Sequence, residues 1–405
     1  MASSQQTGRV ERILPHWHVI ALGVCVFLAT LWDFRLFGVR VFDLFSLAIL
    51  LILMAKNLWD NRGITFSSNL NRLASIIIVY SIFAFLVFRH QSSIVIIVGS
   101  ILLVGSTLLD RELMAMGPWY RWFAWVHIAA FSLQLFIYFI FHKILDFHEF
   151  YGQSSRIFNN PQQRGSGLFQ EPNSYCLAIF MLVASSTAFR ASRTLTMVAG
   201  ITMMISQSLW GVAGAALLIV IQEIREDTNL HLAFFKITKN IIIILSISLL
   251  FLQITRPLEY AYPPIIERLA HLESDSSLRE RYLVNNTLGP GQIPLAPPPV
   301  PVFQLPPMVQ LLVGSGLSTH YFLDHLPANG FALIGKSFGF LGSLLLLWAL
   351  IKLLKPLPRH ERWAIICILA FSTTNYPLFT YLIYWVWLSY LLLPKKRFIT
   401  AVFER

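Results

Sequence analysis

Between Thr194 and Ile221 the chain reads TLTMVAGITMMISQSLWGVAGAALLIVI. As one helix these residues would reach roughly 42 Å, longer than a bilayer core of about 30 Å. The middle of the block, Ser206-Gln207-Ser208-Leu209-Trp210-Gly211, is polar and carries a glycine, which suits a turn between two short helices. The choice decides the fold. One helix here gives an odd number of apolar blocks and opposite faces for the two chain ends, whereas two helices give an even number.

Ten further apolar blocks lie near 17–33, 38–56, 73–88, 92–109, 119–142, 174–190, 238–255, 329–351, 362–378 and 379–393. The 405 residues are 56% hydrophobic and only 13% charged, whereas a soluble domain is about 25% charged. The first block follows Arg9 and Arg12 as a signal peptide would. No small-residue cleavage site comes after it and further apolar blocks do, so it reads as a span. Cys25, Cys176 and Cys367 all lie within apolar blocks and read as small hydrophobes, not as a disulfide framework.

Charge then fixes the count. With two short helices in 194–221, 20 of the 31 basic residues fall on the side that holds both chain ends, among them Arg190, Arg193, Arg225, Lys352, Lys355, Arg359, Lys395 and Lys396. With one helix the clusters at 352–362 and 395–397 would lie outside, against the positive-inside rule. The net charge of +11 thus reads as membrane topology, and nucleic acid is not expected as a partner. The expected fold is all-α: a polytopic transmembrane helical bundle of about twelve spans in one integral membrane domain, 1–405, with both termini cytoplasmic.

This topology puts two polar segments outside, 143–173 and the larger 256–328. The larger one holds a charged helical stretch, Ile265 to Val284, and then eight prolines from Pro290 to Pro307. Proline excludes a helix interior there, so the tract should run extended along the membrane surface or wall a cleft. Eleven basic residues remain on the outer side. For Arg35, Arg40, Arg89 and Arg256, lipid headgroups or neighbouring acids are sufficient partners.

Three stretches could carry chemistry. The first is Arg164-Gly165-Ser166-Gly167-Leu168-Phe169-Gln170-Glu171-Pro172-Asn173. Its glycines permit tight turning, and Asn173 is a sensible N-cap for the next helix, but neither accounts for Arg164. The second joins Arg268 to Asp275-Ser276-Ser277-Leu278-Arg279-Glu280-Arg281, where helical spacing pairs Asp275 with Arg279; an ordinary surface helix explains it equally well. The third is Gly314-Ser315-Gly316, then His320, Asp324 and His325, then Asn329-Gly330 and Gly339-Phe340-Leu341-Gly342, a close-packing signal. A histidine or aspartate at the mouth of a span can act as a general base, or can be a solvated loop residue.

The order and spacing of these stretches resemble the O-antigen ligase and polysaccharide polymerase superfamily of bacterial envelope proteins. The resemblance rests on Arg-x-x-Gly-x-Phe-x-Glu-Pro-Asn at 164–173, Ser-x-Ser at 206–208, and Asp-Ser-Ser-x-x-Arg beginning at Asp275 with one residue of slack. It adds Gly-x-Gly at 314–316, and Asn-Gly-Phe at 329–331 leading to Gly-x-x-Gly. It covers roughly 160–345. Two positions depart from it: Leu209 stands where members often carry Arg, and Ala328-Asn329 stands where ligases carry His-Asn.

The resemblance implies a metal-independent glycosyltransferase without cofactors in the bacterial inner membrane. It would polymerise polyprenyl-diphosphate-linked oligosaccharide repeat units into O-antigen or exopolysaccharide at the outer face. Partners would be that carrier, membrane lipid and a protein regulating chain length. Arg164 and Arg279, supported by Arg281, would hold the diphosphate, because guanidinium forks suit its growing charge. The base would be His325, less readily His320 or Asp324, with Glu171 as the alternative. A ligase that transfers glycan to a lipid or protein acceptor is the neighbouring reading, disfavoured by Ala328. A transporter of lipid-linked glycan is the rival from another class.

Overall fold

The computed structural model describes residues 16–31, 41–60, 68–88, 98–99, 101, 103, 105–109, 112–113, 115–149, 164–186, 192–226, 230–255, 265–266, 270, 307–314, 330–375 and 382–392. Among these residues every regular element is a helix, so the protein is all-α. In chain order the helices are α1 His16–Thr30, α2 Val41–Trp59, α3 Ser68–Phe88, α4 Gly117–Phe141, α5 Pro172–Ser186 and α6 Arg193–Ile205. They continue with α7 Leu209–Glu226, α8 Leu230–Thr255, a short α9 Pro307–Val313, α10 Gly330–Leu354, α11 Arg359–Asn375 and α12 Leu382–Leu392.

The block 194–221 is two helices, broken at Ser206–Ser208. Ten of the eleven apolar blocks thus coincide with helices, the 194–221 block with two. The block at 92–109 is described only in part and ends in a 3₁₀ turn, Ser106–Leu109. Among the described residues two helices are by themselves long and apolar enough to cross a membrane: Gly117–Phe141 and His231–Thr255. Six others among the described residues are apolar but shorter.

α5 sits at the centre. Every residue from Tyr175 to Ser186 is buried, the all-round apolar surface of a core helix. It packs against α4, α6, α7, α11 and α12. α4 buries one stripe only: Tyr120, Phe123, Ala124, His127, Ile128, Phe131, Gln134 and Leu135. Those positions recur at helical spacing. Its other face leaves Trp122, Leu133, Phe136 and Ile140 exposed, as α8 leaves Phe234, Phe235, Leu250 and Ile254. Outward apolar faces of this size are unfavourable in water.

Glycines and a few polar groups set the joints. A Cβ on Gly211 would lie 2.1 Å from the Met203 carbonyl oxygen, so α7 approaches α6 to backbone contact. α10 is kinked at Gly339, whose φ is 62°. A Cβ there would lie 2.2 Å from the Gly314 nitrogen, so the Gly-x-x-Gly packs against the end of α9. Tyr80 Oη donates to the Val313 carbonyl at 2.7 Å and ties α3 to the same point. At the other end of α5, Trp387 Nε1 donates to the Met181 carbonyl at 3.2 Å and to Ser185 Oγ.

Candidate functional site

The Arg164 stretch does not spread over the outer surface. Gly165, Ser166, Gly167 and Phe169 are buried, lying along the buried stripe of α4. A side chain on Gly165 would meet the Phe131 ring at 3.0 Å and Leu135 at 3.2 Å. Gly167 has φ 59°, and its absent Cβ would lie 3.3 Å from the Phe131 nitrogen. This position needs glycine for both backbone shape and space. Phe169 ends the descent beside His127, with ring centroids 5.1 Å apart. Along α4 the distance from Gln134 to His127 is seven residues, roughly 10 Å, so the loop dips steeply into the bundle.

His127 is itself fixed. Thr30 Oγ1 donates to the Phe27 carbonyl at 2.6 Å. That hydroxyl therefore accepts from His127 Nε2 at 3.0 Å, which puts the ring proton on Nε2.

α5 starts where the loop ends, deep in the bundle. The expectation that Asn173 caps this helix is corrected here. Pro172 takes the first helical position, which needs no N–H donor. The Glu171 carbonyl accepts the first helical hydrogen bond, from the Tyr175 nitrogen at 3.2 Å. Asn173 is thereby free of capping, and its Oδ1 accepts from Ser208 Oγ.

Ser208 belongs to the break between α6 and α7. The chain turns there through Gln207, held at φ 54°, an uncommon left-handed conformation for a residue with a side chain. Ser206 Oγ donates to the Met203 carbonyl at 2.6 Å and contacts Cys176 Sγ at 3.1 Å. Tyr175 Oη donates to Thr202 Oγ1 at 2.8 Å. The Arg164 guanidinium lies within electrostatic reach of Cys176. Two stretches far apart in sequence, 164–173 and 206–208, therefore meet at one place. They form a floor of small polar groups where the N-terminal ends of α5 and α7 come side by side. Each such end carries partial positive charge.

Of the predicted site residues, Arg164 and Glu171 belong to this place; Glu171 is half-buried at the start of α5. Arg279, Arg281, His320, Asp324 and His325 lie outside the described residues. So do Arg268, Asp275 and all but Pro307 of the proline tract. Gly314 and Gly339 meet each other as described above.

Two residues at the site carry no mark in the sequence. Gln134 is an isolated amide in an apolar helix, and its Oε1 accepts from the Ser166 and Gly167 nitrogens, both at 2.9 Å. His148 is buried and its Nε2 contacts the Leu168 carbonyl at 3.1 Å. Their partners lie 11 to 33 residues away for Gln134 and 20 for His148, so no local pattern could reveal them.

No protein-family model, no curated protein and no solved structure matches this chain.

Proposed function

We propose that this protein is an integral membrane glycosyltransferase of about twelve spans. In this reading it joins polyprenyl-diphosphate-linked oligosaccharide repeat units into a polymer at the outer face of the bacterial inner membrane. The observation that carries the proposal is Arg164, half-buried and within electrostatic reach of Cys176, whose thiol meets Ser206 where the N-terminal ends of α5 and α7 come together. An anion-binding cradle of that kind suits a diphosphate leaving group.

In the proposed reaction an acceptor sugar hydroxyl attacks the anomeric carbon of the donor. The bond from that carbon to the diphosphate oxygen breaks, and the hydroxyl proton passes to a base. Charge grows on the departing diphosphate, and a fixed guanidinium stabilises it more in the transition state than in the ground state. Arg279 and Arg281 would join Arg164 on the diphosphate. His325 is the first choice of base, with His320, Asp324 and Glu171 as alternatives.

The test is a reconstituted assay with carrier-linked repeat units, scored for glycan length. Polymer that disappears in the Arg164→Ala and Arg279→Ala proteins at normal protein levels is the expected result. Carrier moved across liposomes without any new glycosidic bond would overturn the proposal. Transfer of one finished glycan to a lipid acceptor would move it to the ligase reading.

A further inference from the structure

We infer that Gln134 is the positioning residue of the Arg164 loop: it sets where the guanidinium stands without touching the substrate. The loop has no regular secondary structure with which to hold itself. Gln134 is fully buried on α4, and its side-chain amide bonds three main-chain groups from both ends of the outer segment. Nε2 donates to the Leu145 carbonyl at 2.9 Å, while Oε1 accepts from the Ser166 and Gly167 nitrogens. Only one orientation of the amide satisfies all three partners.

The alternatives to this arrangement are unfavourable. Buried main-chain N–H groups without acceptors are rare because each costs a lost hydrogen bond. Released from Gln134, Ser166 and Gly167 would seek water, and the loop would rise away from Phe131. Arg164 is two residues upstream of Ser166 and would move with it. His148 adds a second tie at Leu168, and the Asp146 carboxylate holds the turn before it by accepting from the His148 nitrogen at 2.8 Å. Neither replaces the acceptor that the two amides share.

What Arg164 binds rests on the function proposed above; the role of Gln134 does not. The experiment therefore has two arms. In the first, protein retaining Cys176 alone, with Cys25→Ser and Cys367→Ser, is labelled in native membranes with a small membrane-permeant maleimide. Gln134→Ala should speed labelling of Cys176 about tenfold or more, because the Arg164 stretch, which lies within electrostatic reach of Cys176, would lift away. Gln134→Glu, which keeps an acceptor for both amides, should give a smaller increase and serves if the alanine protein fails to fold. Tyr80→Phe, which loses a comparable hydrogen bond at the Val313 carbonyl, should leave the rate unchanged. Labelling unaltered by both Gln134 substitutions, or raised equally by Tyr80→Phe, would overturn the inference.

The second arm is a double-mutant cycle on polymer formation. A residue acting through Arg164 should lose nothing further once Arg164 is gone, so Gln134→Ala with Arg164→Ala should match Arg164→Ala alone. Multiplicative losses would overturn the inference. A wild-type protein that forms no polymer would sink the proposed function, while the labelling arm would still decide the role of Gln134.

Discussion

Ser208 Oγ donates to Asn173 Oδ1, joining the residue just before α7 to the start of α5 across 35 positions of sequence. The bond closes the floor of the site. Asn173→Ala leaves a buried hydroxyl without its acceptor and should cost about 1–2 kcal/mol. Asn173→Asp keeps an acceptor and should cost less. Thermal unfolding of the detergent-solubilised protein measures both, and equal stability for all three proteins would refute the assignment.

Gly211 should tolerate no side chain. The methyl of Gly211→Ala would fall on the Met203 carbonyl and within 3.0 Å of Cys176 Sγ. Backbone cannot swing aside as a side chain can, so α6 and α7 must separate, at about 1–3 kcal/mol or more. Gly335→Ala, with open space around it, should stay within about 0.5 kcal/mol of wild type. The two unfolding midpoints, measured side by side, decide the matter.

Arg164→Ala should lower the rate of polymer formation by about 10²–10³, the usual loss for one preorganised donor to a developing negative charge. Arg164→Lys keeps the charge without the planar fork and should recover only part of that rate. Full recovery by lysine would mean that charge alone matters. Initial rates with carrier-linked donor separate the outcomes.

Trp387 anchors α12 to α5. Trp387→Phe removes the indole donor to Met181 and Ser185 while keeping a ring, and should cost about 1–2 kcal/mol. Trp387→Ala also opens a cavity among fully buried neighbours, for about 3–5 kcal/mol in total. A phenylalanine protein as unstable as the alanine one would show that packing contributes little. Denaturant or thermal unfolding reads the difference.

Much of the helical framework was legible because it depends on composition. Apolar blocks bounded by charge register directly, and the polar triplet Ser206-Gln207-Ser208 with Gly211 marks the break in 194–221. Arg164 stood out because the turn glycines and the helix start around it do not themselves call for an arginine. Asn173 was misread because Pro172 shifts the helix start by two residues, and nothing nearby says that Ser208 will compete for its side chain. Gln134 and His148 were invisible because their roles are main-chain hydrogen bonds to distant segments. Such bonds depend on tertiary approach and leave no periodicity behind.

The place where the Arg164 loop is tied has an electrical consequence. Gln134 lies seven residues before the end of α4 at Phe141, roughly 10 Å along the helix, so in the proposed orientation part of the membrane voltage falls above that loop. Each unit charge crossing the full potential exchanges about 2.3 kcal/mol per 100 mV, and an anion descending to Arg164 crosses a fraction of it. With the cytoplasm negative, that fraction opposes entry. On the proposed function, an energised membrane should hold the diphosphate less tightly than a depolarised one.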